Sequence, residues 1–194
     1  MAEMHALRST ADGAAVISGG NLHCLNTKKY AALMSSMLVR TDVTLEGAQT
    51  QYMSGFWRVG KDIAVVAAGD CNLELRDHSF AKVSGECKVS ARDNASVKAK
   101  GGAIVDAGGS AEVMASDNCV VYASDRAKIS ALGRAVVYAH DDCQVEAYEG
   151  CTIFAGGNCL VKVVSWGAVT VHLSDNARID DLVGQAKILR ESAM

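Results

Sequence analysis

The sequence predicts an all-β fold: a two-sheeted parallel β-solenoid (β-helix) of about 16 residues per coil. Two observations carry this prediction, an eight-residue repeat over 57–179 and a recurrence of outward aromatic residues every sixteen positions. A short fixed period is typical of a solenoid, in which each unit buries its apolar side only against its neighbours. The clearest octads are VVAAGDCN (65–72), VSARDNAS (89–96), VMASDNCV (113–120), VYASDRAK (121–128), VYAHDDCQ (137–144) and IFAGGNCL (153–160).

Each octad, numbered as slots 1 to 8 from its Val or Ile, predicts one short strand and one tight corner. Alternation along a strand places slots 7, 1 and 3 on the same side, such as Cys119, Val121 and Ala123. Slots 5 and 6 hold Asp-Asn, Asp-Arg, Gly-Gly and similar pairs, which suit turns because Asp, Asn and Gly tolerate a positive φ.

The outward slots predict two octads per coil. Slot 2 holds Tyr122, Tyr138 and Phe154, which lie sixteen residues apart, whereas a three-sided coil would repeat every twenty-four. Fifteen octads then make about seven coils, with a length of roughly 35 Å at a strand spacing of about 4.8 Å.

The composition predicts a core of small residues and sets limits on function. The chain of 194 residues is 49% apolar but only 5% aromatic and has no proline, as expected where nearly every backbone N–H is needed in a sheet. A net charge of −3 gives no reason to expect nucleic-acid or membrane-surface binding, and no apolar run is long enough to span a membrane.

The positions of the cysteines predict that their side chains pack in the core and bind no metal. Six of the seven occupy slot 7, where Ala or Gly alternates with them, so we expect reduced, buried thiols and a cytoplasmic location. No Cys or His pair has the spacing of zinc ligands, and we expect no metal and no cofactor. The six are Cys71, Cys87, Cys119, Cys143, Cys151 and Cys159.

The two ends of the array predict caps, because an open solenoid exposes its core and its strand edges. Residues 1–56 form an N-terminal capping segment, with an outlying octad at 16–23 and an inserted amphipathic helix at 26–37. The octapeptide solenoid follows at 57–179. Residues 180–194 predict a C-terminal capping helix, with one apolar face made by Leu182, Val183, Ala186 and Leu189.

Two acidic features of the sequence are candidate chemical sites. Asp77, Asp93, Asp125 and Asp141 recur along one turn edge and suggest stacked Ca²⁺ ligands, but side chains that each cap their own corner are favoured. His140, Asp141 and Asp142 form the only compact acid–base cluster. They sit at a corner with no long loop to build a groove, so we assign no catalytic residue and expect no enzyme.

The most distinctive predicted surface is apolar. Slots 8 and 2 of one sheet stack three pairs of residues into an exposed stripe, and soluble proteins seldom expose such a patch without a partner. The alternative, that stacked rings only stabilise the sheet, stays open. The candidate partner-binding residues are Val120, Tyr122, Val136, Tyr138, Thr152 and Phe154.

The Val-x-Ala-x-Asp-x-Ala octads of 57–179 resemble those of octapeptide-repeat β-solenoid proteins of bacterial and phage genomes. The resemblance implies the solenoid architecture and a phage or mobile-element origin. Together with the small size, it implies a protein that binds and inhibits a host protein, including defence proteins. It assigns no site residue.

We therefore expect a non-enzymatic protein-binding module whose partner is another protein or a second copy of itself, as a homodimer. One alternative is a polysaccharide-binding or polysaccharide-cleaving protein that uses His140, Asp141 and Asp142. Another is a structural solenoid that assembles end to end, although the helix expected after Ile179 argues against it.

Overall fold

The computed structural model describes residues 4–7, 15–18, 21–24, 56–59, 64–69, 72–165 and 167–190. In these ranges it confirms the predicted parallel β-solenoid, built from two ten-stranded sheets. Strands β4 to β19 alternate between the sheets and make about eight coils, one more than the sequence predicts. Val121 pairs with Val137, which confirms the sixteen-residue coil.

The strands are numbered in chain order. Sheet 1 contains, in spatial order, β1 (Met4–Leu7), β4 (Phe56–Val59), β6 (Asn72–Leu75), β8 (Lys88–Ala91), β10 (Ile104–Ala107), β12 (Val120–Ala123), β14 (Val136–Ala139), β16 (Thr152–Ala155), β18 (Thr170–Leu173) and β20 (Lys187–Arg190). Sheet 2 contains β3 (Asn21–Cys24), β2 (Ala15–Ser18), β5 (Ala64–Gly69), β7 (Phe80–Gly85), β9 (Ser96–Ala99), β11 (Glu112–Ala115), β13 (Lys128–Ala131), β15 (Gln144–Ala147), β17 (Leu160–Ser165) and β19 (Arg178–Gly184).

The core lies between the two sheets and consists of the predicted inward slots. Cys119 and Val121 are completely buried and Ala123 is nearly so, in the expected order of small, large and small. The same order repeats along both sheets from Cys87 to Ala155, so the Val and Ile residues of slot 1 stack on one another from coil to coil. Complete burial of one such side chain stabilises the fold by roughly 1.5 to 3 kcal/mol.

The described cysteines of slot 7 are part of this core. Cys87, Cys119, Cys143, Cys151 and Cys159 are free and buried, as predicted, while Cys71 lies outside the described residues. Burial raises the pKa of the Cys151 thiol to about 11. The thiol therefore stays protonated at neutral pH and behaves as a small apolar side chain.

The corners depend on a left-handed residue in slot 5. Asp125 has a φ of 59° and Gly109, one coil earlier, a φ of 68°. The neighbouring amides of the corner bond to the preceding coil, as when the Arg126 N–H donates to the Gly109 carbonyl at 2.9 Å. The N–H of the slot 5 residue points the other way and donates to the following coil. Its acceptor there is a side-chain oxygen and not a backbone carbonyl.

That acceptor is the next slot 5 aspartate. The Gly109 N–H donates to Asp125 Oδ2 at 2.7 Å, and the Asp125 N–H donates to Asp141 Oδ2 at 3.1 Å. The prediction that each Asp caps its own corner is therefore wrong for Asp93, Asp125 and Asp141, each of which caps the corner of the preceding coil. The same bond joins Asp77 to Asp93 (3.2 Å), Gly101 to Asp117 (3.2 Å) and Gly157 to Asp175 (3.0 Å).

The predicted C-terminal helix over 180–194 is wrong for residues 180–190, which continue the solenoid as β19 and β20. Leu182 pairs with Val163 and Ile188 with Val171, so the existing sheet edge supplies hydrogen-bond partners that outweigh a short helix, itself marginal in water. A bulge at Asp180 breaks the strict alternation of apolar residues.

The outlying N-terminal octad expected at 16–23 does not have the predicted register, although its first residues do form a strand of sheet 2. β2 joins sheet 2 parallel to β5, with Val16 opposite Val66, one position away from the slot predicted. β3 then turns back antiparallel to β2 and does not begin another coil. The helix expected at 26–37 lies outside the described residues.

Replacing Cys119 tests the small-residue core. We expect Cys119→Ala to lower the free energy of unfolding by only about 1 kcal/mol, because it leaves a small void. Cys119→Asp places a charge at a fully buried position and should lower it by roughly 4 kcal/mol or more. Urea unfolding followed by circular dichroism measures both, with the exposed Met114→Asp as control. A severe loss in Cys119→Ala would mean that the thiol does more than pack.

Replacing Asp125 tests the aspartate bond between coils. Asparagine tolerates a positive φ and keeps an acceptor oxygen, so Asp125→Asn should change the free energy of unfolding by less than about 1 kcal/mol. Asp125→Ala removes the hydrogen bond and adds backbone strain, so it should lower the free energy of unfolding by about 2 kcal/mol. The free energy of unfolding of Asp125→Gly should lie between the values for the asparagine and alanine variants. If alanine and asparagine have equal effects in thermal or urea unfolding, the bond contributes nothing.

Candidate functional site

The predicted column of rings is present on the outer face of sheet 1. Tyr122, Tyr138 and Phe154 lie opposite one another on β12, β14 and β16. The Tyr122 and Tyr138 ring centroids are 5.2 Å apart with an 11° angle between the rings, and those of Tyr138 and Phe154 are 4.9 Å apart at 9°. The separations match the strand spacing, because in-register pairing stacks equivalent side chains.

A fourth ring, His172 on β18, extends the column and was missed by the sequence analysis. It stacks on Phe154 with centroids 4.4 Å apart and an angle of 19°. An insertion before β18 places His172 eighteen residues after Phe154, which hides it from a sixteen-residue count. Counting back three positions from Asp175, the slot 5 residue of that coil, would have found it. We call Tyr122, Tyr138, Phe154 and His172 the aromatic ladder.

The neighbouring slot 8 residues form an apolar column beside the aromatic ladder. Val120, Val136 and Thr152 are half-buried, as the predicted stripe requires, and Thr170 continues the column on β18. Tyr122 is 50% exposed and Tyr138 41%, while Phe154 and His172 are half-buried. We call the aromatic ladder and these four residues together the ladder face.

The ladder face ends at a charged pair on its N-terminal side. Asp106 of β10 lies opposite Tyr122 and accepts a hydrogen bond from Arg92 Nη2. On its C-terminal side the column continues into Leu189 of β20, which is 37% exposed. The column of rings therefore begins at Tyr122, while the neighbouring slot 8 column continues one coil further to Ile104, which lies opposite Val120 and is 39% exposed.

The orientation of the rings limits what can bind to them. Because neighbouring rings stack nearly parallel, both faces of the inner rings Tyr138 and Phe154 are covered and their edges form the outer surface. A sugar ring that stacks on an aromatic residue needs an exposed ring face. Edges in a row offer apolar contact and hydroxyl groups, which suits the side chains of a protein surface.

A shallow depression of about 160 Å³ lies between the aromatic ladder and the adjacent corner. Tyr138, Phe154 and His172 line one side, and His140, Gly156 and Ser174 line the other. Gly156 opens this space, since a Cβ there would lie 2.8 Å from His140 Cε1 and 3.0 Å from Ser174 Oγ. The depression is smaller than a typical small-molecule site, and its size fits one or two protruding side chains.

The acid–base cluster at the same corner is occupied by structural hydrogen bonds. Asp141 Oδ2 accepts the Asp125 N–H, and Asp142 Oδ1 accepts a hydrogen bond from Asn158 Nδ2 at 3.1 Å. His140 is exposed beside them. Within the described ranges, no group of three or more His, Cys, Asp or Glu side chains is placed to hold a metal ion.

The outer face of sheet 2 has a larger depression, of about 370 Å³, that the sequence analysis did not identify. Small side chains at Ser96 and Ser130 create it among longer charged ones. Lys128 and Glu112 at its border form an exposed ion pair, with Nζ and Oε1 3.3 Å apart. An exposed ion pair at the border and charged side chains along the lining are typical of a solvated face, so we favour the ladder face as the site.

A second group of apolar residues, in slot 4 of sheet 2, is less exposed than the two tyrosines of the aromatic ladder. Leu132, Tyr148 and Val164 are half-buried, and the Tyr148 hydroxyl donates to Glu146 at 3.2 Å. Trp166 lies outside the described residues.

Comparison with protein-family models, with curated proteins and with solved structures gives no match for this chain. Among the described residues, no helix has the length and apolar character needed to cross a membrane. The site must therefore be interpreted from its own geometry.

The corner aspartate beside the ladder face gives a pH-dependent prediction. Hydrogen bonds from the Gly157 N–H and the Ser174 hydroxyl lower the pKa of Asp175 in the folded state. A lowered folded-state pKa stabilises the fold above the unfolded value of about 4, and this contribution is lost as the pH falls through the folded pKa.

We therefore expect wild type to be more stable than Asp175→Gly at neutral pH, with a difference that shrinks below about pH 4. Glycine keeps the positive φ of 53° without strain, so the comparison isolates the carboxylate. Urea unfolding of both proteins between neutral and acid pH measures the difference. A difference independent of pH would contradict the assignment.

Proposed function

We propose that this chain is a non-enzymatic protein-binding β-solenoid whose partner docks on the ladder face. The observation that carries the proposal is the run of stacked rings at Tyr122, Tyr138, Phe154 and His172, with half of Tyr122 exposed. Large apolar stripes on a soluble protein usually mark an interaction site, and tyrosine is enriched where binding energy concentrates.

The stacking also prepares these side chains for binding. A free surface tyrosine loses rotamer freedom when a partner covers it, which weakens association. In the aromatic ladder, each inner ring is already held between two neighbours about 5 Å away. Little further order is required when a partner binds, so more of the contact energy contributes to affinity.

The surroundings fit a protein interface better than the two alternatives. The rings present edges, which disfavours a polysaccharide stacked on their faces. The corner carboxylates of Asp141 and Asp142 are engaged in hydrogen bonds between coils, which disfavours them as an acid–base pair. An apolar centre bordered by the Arg92–Asp106 pair follows the usual arrangement of apolar core and polar rim.

The kind of partner is a further part of the proposal. The resemblance to bacterial and phage octapeptide-repeat solenoids, with the small size, supports a host protein as target, including a defence protein. The chain would then inhibit the host protein by steric hindrance, since a rigid face docked on a functional surface blocks access to it.

Replacing the two exposed rings tests the proposal. We expect Tyr122→Ser/Tyr138→Ser to weaken binding about 100-fold, from about 1.4 kcal/mol per ring. The fold and melting temperature should change little, because both side chains are outward. The control is Met114→Ser, which removes an equally exposed apolar side chain from sheet 2.

The measurement is affinity capture from a bacterial lysate with all three proteins, quantified by mass spectrometry, followed by titration of the captured protein. A protein retained by wild type and by the Met114 variant but lost from the tyrosine variant supports the proposal. Identical capture by all three contradicts it. Equal losses of binding and of thermal stability would assign the rings to the fold.

A further inference from the structure

The corner edge beside the ladder face carries an excess of negative charge. The corners that follow β12, β14, β16 and β18 read SDR (124–126), HDD (140–142), GGN (156–158) and SDN (174–176). They contain four carboxylates and one guanidinium group, a net charge of −3 with histidine neutral. The four carboxylates, which we call the acidic row, belong to Asp125, Asp141, Asp142 and Asp175.

The same edge is nearly neutral in the coils that precede the ladder face. The corners that follow β6, β8 and β10 read RDH (76–78), RDN (92–94) and GGS (108–110), so two aspartates are balanced by two arginines. The outward residues Glu74, Lys88 and Asp106 of these strands bring the total to −1, whereas the outward residues of the ladder face are uncharged. The excess of negative charge therefore begins in the same coil as the aromatic ladder.

The acidic row runs parallel to the aromatic ladder. Asp125, Asp141 and Asp175 each lie three residues after a ring of the ladder, in the same coil. At about 3.3 Å per residue, the two rows are at most about 10 Å apart along the backbone. This distance is close to the Debye length of about 8 Å at physiological ionic strength, so salt only partly screens the carboxylates from a partner seated on the rings.

The carboxylates of the acidic row keep acceptor sites for a partner. All four side chains are exposed, although each also accepts a hydrogen bond within the solenoid. An ionised carboxylate has about four lone-pair sites, and the bonds within the solenoid use one or two of them. The acidic row can therefore bind cationic groups without giving up the bonds that join the coils.

We propose, on the basis of the docking at the ladder face proposed above, that the partner protein presents a basic amphipathic segment. Its apolar side chains cover the rings, and its lysine or arginine side chains lie along the acidic row. Arg126 follows the first carboxylate of the row, so the basic side chains fit best beside Asp141, Asp142 and Asp175. An acidic segment would be repelled, because like charges across an interface suppress association.

The opposite corner edge gives a basic segment no comparable attraction. The corners that precede β12, β14 and β16 contain Asp117, Arg134 and Glu149, whose charges alternate in sign. The basic side chains of the partner therefore lie on one side of the ladder face only, which fixes the orientation of the segment.

A basic amphipathic helix has the required layout. Its apolar and basic side chains form adjoining stripes on a cylinder about 10 Å wide, which matches the separation of the two rows. From Tyr122 to His172 the ladder spans three strand spacings, about 15 Å, or about ten residues of helix. The shallow depression at Gly156, where Asp175 Oδ2 lies 3.1 Å from the position of a Cβ, has room for one basic side chain.

Two synthetic helical peptides of about 14 residues, long enough to cover the ladder, test the inference. Both have leucine on one face, and the polar positions are all lysine in one peptide and all glutamate in the other. We expect the full chain to bind the lysine peptide at least about 10-fold more tightly than the glutamate peptide at low salt. Fluorescence anisotropy of the labelled peptides measures both affinities, and the difference should shrink as salt is added.

A variant of the acidic row and a matched control locate the effect. Asp141→Asn/Asp142→Asn/Asp175→Asn removes three charges but keeps the acceptor oxygens, and asparagine tolerates the positive φ of Asp141 and Asp175. Its affinity for the lysine peptide should fall about 10-fold, because three exposed ion pairs are lost. The control, which should bind as wild type does, removes three charges outside the ladder face: Asp77→Asn/Glu86→Gln/Asp93→Asn.

The outcomes separate this inference from the docking on which it rests. The inference is overturned if wild type does not bind the lysine peptide or binds both peptides equally, or if the two triple variants have equal affinity. Tighter binding of the glutamate peptide that is lost in Tyr122→Ser/Tyr138→Ser would leave the ladder face as the docking site and overturn only the basic partner. Binding of the lysine peptide that survives in the tyrosine variant would contradict docking on the rings. A wild-type dimer in analytical ultracentrifugation that the tyrosine variant cannot form would assign the face to a second copy and overturn the inference.

Discussion

In-register hydrogen bonding between successive coils is the interaction on which the rest of this structure depends. It sets each residue over its equivalent in the next coil, as Val121 lies over Val137 and Tyr122 over Tyr138. A side chain must therefore be compatible with a copy of itself about 5 Å away. Valine, alanine and cysteine satisfy this condition inside, because small side chains stack without voids between two close sheets.

The corners meet the same condition by a different means. A left-handed residue in slot 5 turns the chain sharply, but its own N–H then points toward the following coil. No backbone carbonyl of that coil accepts a hydrogen bond from it. The Oδ2 atom of the next aspartate accepts that amide, as Asp125 does for Gly109. The acidic rows along the edges are thus part of the bonding between coils, and the aspartate that tolerates the positive φ also supplies the missing acceptor.

The proposed function follows from stacking at a face. Stacking turns single exposed rings into the aromatic ladder, rigid enough to serve as an interface. This surface suits a protein partner, because the repeat places the same outward slot of successive coils in one row.

The sequence by itself determined the repeating part of this protein: the octad, the coil of two strands, the inward slots of Cys119, Val121 and Ala123, and the column from Tyr122 to Phe154. These follow from periodicity, which is a local property that a single chain displays. Tertiary structure decided where periodicity is broken. His172 joins the aromatic ladder across an insertion, and residues 180–190 form strands because the sheet edge beside them offers hydrogen bonds that a helical pattern does not reveal. The direction of the aspartate bonds was decided in the same way, since their donors lie a full coil away in the chain.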